Sequence, residues 1–152
     1  MVAYLCNDMV KELKCLTETQ EKEVISLMGE LAPEVNVSAD MLRCTLESHN
    51  SHFFVVVDEN DHIMGCATLC VFESPTGKKA SIEDVVVSSM CRGRGLGRLL
   101  MEHIIAFSKD ELQQVDLHLT SNPRRVAANE LYKKVGFQHR ETNAYVMKVS
   151  SI

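Results

Sequence analysis

Val85-Val86-Val87-Ser88-Ser89-Met90-Cys91-Arg92-Gly93-Arg94-Gly95-Leu96-Gly97-Arg98, VVVSSMCRGRGLGR, sets three β-branched residues ahead of a loop holding three glycines and three arginines. Downstream, Leu96, Leu99, Leu100, His103, Ile104 and Phe107 recur near the 3.6-residue period of one helix face. The stretch reads as strand, glycine loop and helix. Backbone N–H groups at a helix N-terminus, left open by glycine, make an anion site that the helix dipole reinforces. A tight strand-to-helix turn needs one glycine; Gly93, Gly95 and Gly97 flanked by Arg92, Arg94 and Arg98 point to a phosphate-like ligand instead. A P-loop would place Lys-Ser/Thr after its last glycine, where Arg98-Leu99 stands here. A dinucleotide fingerprint needs GxGxxG against the GxGxG present, although Asp116 lies near the distance of a ribose-binding carboxylate.

Working outward, 152 residues are expected to form one domain, 1–152, with a core that needs no staples. The 45% hydrophobic and 24% charged residues are ordinary for a globular chain, and a net charge of −5 argues against nucleic-acid binding by bulk electrostatics. Cys6, Cys15, Cys44, Cys66, Cys70 and Cys91 show no CxxC and no Cys/His zinc spacing, so free thiols and no metal are expected. Apolar runs fall short of the roughly 18 residues of a membrane span, and the N-terminus has Asp8 and no long apolar core for export. The expectation is a soluble cytoplasmic protein with no membrane partner.

Residues 9–16 are a candidate first strand. Thr17 and Gln20 form a capping box ahead of Val24, Ile25, Leu27, Met28 and Leu31, a helix that Pro33 stops. Ser38 or Asp40 caps a second helix through Met41, Leu42, Thr45 and Leu46, ending near Ser48–Ser51. Phe53–Val57 and Ile63–Phe72 read as a hairpin around Asp58–Asp61, Glu73–Lys79 as a loop with solvated Lys78 and Lys79, and Ser81–Val87 as a third strand. Val115–Leu119 alternates as a strand, Asn122-Pro123 opens a helix ending at Gly136, and Phe137–Arg140 and Ala144–Val149 are two closing strands. The order makes an α/β or α+β sheet with a helical crossover after the glycine loop.

Arg92-Gly93-Arg94-Gly95-Leu96-Gly97 resembles the (Q/R)xxGx(G/A) motif of the GNAT superfamily of acetyl-CoA-dependent N-acetyltransferases, five residues after the Val-rich strand ends. Ala127-Ala128-Asn129-Glu130-Leu131-Tyr132-Lys133-Lys134-Val135-Gly136-Phe137 resembles that family's AxxLYxxxGF segment. Ile82 to Val87 followed by Cys91-Arg92-Gly93 is similar to the glucosamine-6-phosphate N-acetyltransferases, from which Thr120–Arg125 and Ala127–Asn129 depart. The resemblance implies a mixed, mostly antiparallel sheet flanked by about four helices, a primary amine of a small molecule or peptide as acceptor, and room for a homodimer. It also implies that the backbone of Val85, Val86 and Val87 lies along the pantetheine arm, that Arg92, Gly93, Arg94, Gly95, Leu96, Gly97 and Arg98 hold the pyrophosphate, and that Asn129 bonds the cofactor.

Acetyl transfer to an amine needs a neutral amine, a polarised thioester carbonyl and a proton for the leaving thiolate. The resemblance makes Tyr132 the acid, its hydroxyl near the sulfur; a core tyrosine on an amphipathic helix is the alternative. Glu83 shares strand parity with Ser81, Val85 and Val87 and is a candidate base or ammonium anchor, whereas Asp84 would point to the other face. His118, between Leu117 and Leu119, is the other candidate base, and Cys91 is given no catalytic role. A non-catalytic acyl-CoA-binding regulator would keep the arginine loop and make Tyr132 and Glu83 dispensable.

Overall fold

Phe53-Phe54-Val55-Val56-Val57 is apolar without alternation, and such a strand is stable only when covered on both faces. The computed structural model, which describes residues 9–150, covers it so. Strands β1 (Val10–Leu13), β2 (Ser51–Val57), β3 (Ile63–Ser74), β4 (Gly77–Val87) and β5 (Asp116–His118) form one sheet in the order β1-β2-β3-β4-β5. All neighbours are antiparallel except β4 and β5. Phe53, Val55 and Val57 pack with Val24, Leu27 and Met28 of α1 (Glu18–Leu31) and Leu42 and Leu46 of α2 (Ala39–Glu47). Phe54 and Val56 face the other way, toward Leu100, Met101 and Ile104 of α3 (Leu96–Phe107) and Tyr132 of α4 (Val126–Lys134).

The helix starts follow from their caps. Thr17 Oγ1 accepts from the Gln20 N–H at 3.2 Å while the Gln20 side chain accepts from the Thr17 N–H at 3.1 Å, the reciprocal pair the sequence predicts. Ser38, and not Asp40, caps α2, since Ser38 Oγ accepts from the Met41 N–H at 3.3 Å and Asp40 pairs with Arg43. Phe54 is fully buried, its ring 5.1 Å from Phe107 and 5.4 Å from His103. Phe54→Ala should therefore cost about 3–5 kcal/mol in urea unfolding through the cavity it opens.

Four sequence expectations change. The segment Glu73–Lys79 is not a loop: β3 and β4 run through it to a tight turn at Pro75-Thr76, with Ser74 facing Gly77, Lys78 beside Glu73, and Lys79 bonded to Ser74 and Thr76. Asn122-Pro123 does not open α4. Asn122 Oδ1 accepts from the Arg124 N–H at 2.9 Å in a side-chain turn, and the helix begins only at Val126. Neither Phe137–Arg140 nor Ala144–Val149 is a strand; both are irregular, and Tyr145, Val146, Met147 and Val149 are exposed. Finally, β4 bulges: Cys66 faces Val86 but Thr68 faces Glu83, with Asp84 at φ 52° absorbing the extra residue. Cys6 and Asp8 lie outside the described residues.

Candidate active site

Strands β4 and β5 pair only where Lys79–Ser81 meet Asp116–His118, so the β5-facing edge of β4 is unpaired from Ile82 to Val87. The sheet opens there. A cleft of about 660 Å³ occupies the opening, bounded by Val85–Val87, the loop after them, the first turn of α3 and one side of α4. Its end at the start of α3 is built from backbone. Gly93 and Gly95 take φ of 78° and 77°, a left-handed conformation that L side chains rarely adopt, and Gly95 is the residue preceding the first turn of α3. The Leu99 N–H bonds back to the Gly95 carbonyl at 3.0 Å, leaving the N–H groups of Leu96, Gly97 and Arg98 as the donors of the helix start. No atom lies within 4 Å of where a Gly95 Cβ would stand, an open cradle that suits a phosphate approaching the backbone.

Gly97 serves packing: a Cβ there would come within 3.2 Å of Leu131 Cδ2, so its absence lets α3 close on α4. The loop is clamped from α1, where Glu30 Oε2 accepts from the Ser89 N–H at 2.9 Å and lies 3.5 Å from Arg92 Nη2. Arg92 Nε in turn donates to the Val87 carbonyl at 3.2 Å.

Of the residues expected to hold the cofactor, Val85, Val86, Val87, Arg92, Gly93, Gly95, Leu96, Gly97, Arg98 and Tyr132 line the cleft, as does Cys91. Arg94 does not: its guanidinium reaches to Met64 Sδ at 3.6 Å. Asn129 does not either; its amide donates to the Asn122 and Arg125 carbonyls, both at 2.9 Å, bracing the entry to α4. Sequence reasoning missed Arg124 and Arg125, which line the cleft opposite the glycine loop. Two adjacent arginines at a helix entrance were the available signal. Arg125 Nη2 donates to the Val85 carbonyl at 3.1 Å, satisfying part of the open edge of β4.

Tyr132 is 5% exposed and sits between this cleft and a second cavity of about 380 Å³. Burial pushes its phenol above the usual range and the Arg125 charge opposes that shift, so the hydroxyl keeps its proton at neutral pH. Glu83 lies elsewhere than expected. Because the bulge shifts the alternation, Glu83 shares a face with Ser81, Thr68 and Val86, on the α1–α2 side, while Ile82, Val85 and Tyr132 belong to the α3–α4 side. Its carboxylate accepts from the Ser81 hydroxyl. Asp84 sits on the bulge itself; burial, then the Glu83 and Asp84 charges, push the Cys70 thiol upward against the Ser51 hydrogen bond. Desolvation, then the Glu83 charge, pushes the Asp84 carboxyl upward. Burial, then Asp84, pushes the Cys66 thiol up to about 12, which leaves it an inert thiol.

His118 lies outside the cleft, its Nδ1 3.4 Å from Arg140 and its Nε2 buried without a partner among the described residues. Asp116 faces Lys79 at the start of β4, about 26 Å of extended strand from Val87, too far to serve a ribose at the glycine loop. No described helix is long and apolar enough to cross a membrane.

Residues 19–137 match the model of the acetyltransferase (GNAT) family. The chain is 30% identical over 114 residues to N-acetyltransferase family 8 member 2 of Rattus norvegicus, covering 74% of this chain and 48% of that protein. It is 29% identical over 101 residues to N-acetyltransferase 8B of the same organism, covering 66% and 45%. The chain thus spans about half the length of these curated relatives. Among solved structures it is similar to an aminoglycoside acetyltransferase from an uncultured soil metagenomic sample, with TM-score 0.75 and 20% identity over 95% of this chain and 98% of that one. It is also similar to an acetyltransferase of Trypanosoma brucei, with TM-score 0.68 and 24% identity over 91% and 98%. A glycine loop feeding a helix start, an opened β4 edge and a matching family model over most of its length lead to one assignment: the chain belongs to the GNAT family of acetyltransferases.

Proposed function

We propose that the chain transfers acetyl from acetyl-CoA to a primary amine of a small molecule or peptide by direct attack in a ternary complex. The observation that carries this reading is the single cleft joining the open N–H groups of the α3 start to the buried Tyr132 along the unpaired edge of β4. Residues fit the donor along that path. Gly95, Leu96, Gly97, Arg92, Arg98 and Arg124 meet the pyrophosphate, and the free β4 backbone of Val85–Val87 meets the pantetheine amides. Acetyl-CoA supplies an activated thioester, and the chain's own groups position it.

The acceptor enters from the α1–α2 side of the opening, where the bulge presents Glu83. Glu83 takes the ammonium proton, directly or through one water; the amine nitrogen then bonds the acetyl carbon as the carbon–sulfur bond breaks, Tyr132 protonates the departing sulfur, and the proton that the nitrogen sheds as the amide forms leaves to water, which restores the Tyr132 hydroxyl. Cys91 takes no part, since direct transfer needs no acyl-cysteine. An amine panel monitored by thiol release tests the proposal, with glucosamine 6-phosphate, amino acids, polyamines, peptides and aminoglycosides as members, the last because a structural neighbour bears that name. We expect acetyl-CoA and coenzyme A, and not NAD, to raise the melting temperature, and at least one amine class to release thiol. Stabilisation by coenzyme A with no turnover of any amine would leave a non-catalytic acyl-CoA-binding regulator.

A further inference from the structure

Arg124 and Arg125 line the same cleft, and the fold holds the second of them at both ends. Its backbone is fixed first. The Arg125 N–H donates to the Asn122 carbonyl at 3.0 Å, and the Arg125 carbonyl accepts from the Asn129 N–H at 3.0 Å and from the Asn129 side-chain amide at 2.9 Å. The same amide donates to the Asn122 carbonyl at 2.9 Å, so one side chain ties the turn before α4 to the helix that follows. Arg125 stands just ahead of α4 with φ −81° and ψ 65°, outside the helical region, and from there its guanidinium crosses to the sheet.

At that far end Arg125 Nη2 donates to the Val85 carbonyl at 3.1 Å, within the stretch of β4 that has no strand beside it. A guanidinium carries five N–H donors in a fixed planar fork, so one bond to Val85 leaves others for a second partner. That partner is Tyr132. Burial pushes the Tyr132 phenol upward, and the charge and hydrogen bonding of Arg125 draw it back. A buried phenol by itself parts with its proton reluctantly, because the phenolate left behind has lost its solvation. A fixed cation beside the oxygen offsets that penalty at the moment the proton moves.

We propose that Arg125 is a positioning residue for Tyr132: anchored on the Val85 carbonyl, it holds the Tyr132 hydroxyl in the cleft and steadies the phenolate while the proton passes to the departing sulfur. This role rests on the acetyl-transfer reading. The Tyr132 O–H bond breaks as the S–H bond forms, the phenolate charge lies against the guanidinium, and the proton shed by the new amide restores the hydroxyl through water. Asn129 acts one step further back, by fixing the backbone from which Arg125 reaches. An arginine that only closed the bare edge of β4 would have no such coupling to Tyr132.

Tyrosine labelled at the hydroxyl-bearing ring carbon tests the coupling by nuclear magnetic resonance, the signal lost in Tyr132→Phe being that of Tyr132. At neutral pH it should move in Arg125→Gln and stay in place in Arg124→Gln. With saturating acetyl-CoA and an amine that is acetylated, Arg125→Gln should turn over roughly ten-fold more slowly, with acetyl-CoA affinity largely kept and circular dichroism unchanged. Arg125→Lys should recover part of the rate, since it keeps the charge and loses the fork. In a Tyr132→Phe background Arg125→Gln should cost little more, because the group it serves is gone. An unmoved Tyr132 signal, a rate loss that persists in full in the Tyr132→Phe background, or a loss confined to acetyl-CoA affinity would each overturn the proposal. The signal needs no acceptor, so a signal that moves while no amine is acetylated would sink the acetyl-transfer reading and leave the pairing of Arg125 with Tyr132 standing.

Discussion

Gly95→Val is expected to abolish measurable acetyl-CoA binding in a protein that still folds. Gly95 holds φ of 77° immediately before α3, and nothing lies within 4 Å of its absent Cβ. A side chain there meets no core atom, so folding bears only backbone strain of roughly 1–2 kcal/mol or somewhat more for a branched residue. Binding fares worse, because the branch stands in front of the N–H groups of Leu96 to Arg98, where pyrophosphate oxygens must approach within hydrogen-bond distance. Gly95→Ala should weaken binding less, since its single methyl covers less of the cradle. Isothermal titration with acetyl-CoA separates these cases, and circular dichroism confirms the fold. An unchanged affinity in folded Gly95→Val would move the anion site away from this loop.

Tyr132→Phe should cut turnover by roughly ten- to a thousand-fold while acetyl-CoA affinity stays similar. Phenylalanine keeps the ring that packs against Phe137 and the buried volume of the core, and removes only the hydroxyl. The raised phenol pKa gives the mutation a clear meaning: the group lost is a proton donor that is neutral at working pH. A donor whose thiol leaves more easily needs less protonation, so the deficit should shrink with it. Stopped-flow single-turnover rates alongside titration isolate the chemical step. A Phe variant with full turnover would return Tyr132 to the role of a core residue and leave sulfur protonation to water.

Much of this was legible in the residues because the signals are local. The Thr17–Gln20 box starts a helix through hydrogen bonds spanning three residues, and the GxGxG loop opens α3 because glycine takes the left-handed turn without the strain a side chain adds. The Val-rich strand, the loop and α3 follow one another without intervening structure, so nine of the residues expected to hold the donor line the cleft together.

What alternation could not reveal is the Asp84 bulge. Strand parity counts two residues per repeat, and one left-handed residue inserted against Ala67 reverses every side chain before it relative to those after it. Glu83 therefore lies on the α1–α2 face, although counting placed it with Val85. The direction of Arg94, the bracing role of Asn129 and the arrival of Arg125 at Val85 depend on neighbours between 4 and 40 residues away. The Ala144–Val149 stretch has the composition of a strand but pairs with none among the described residues. Residue chemistry and short-range spacing by themselves determined helices α1, α2 and α3 and the glycine loop that opens α3. Tertiary structure alone decided which face each carboxylate occupies, where the sheet opens and which backbone is left unpaired, because a hydrogen-bonded register is set by the strand across from a residue and not by the residues beside it.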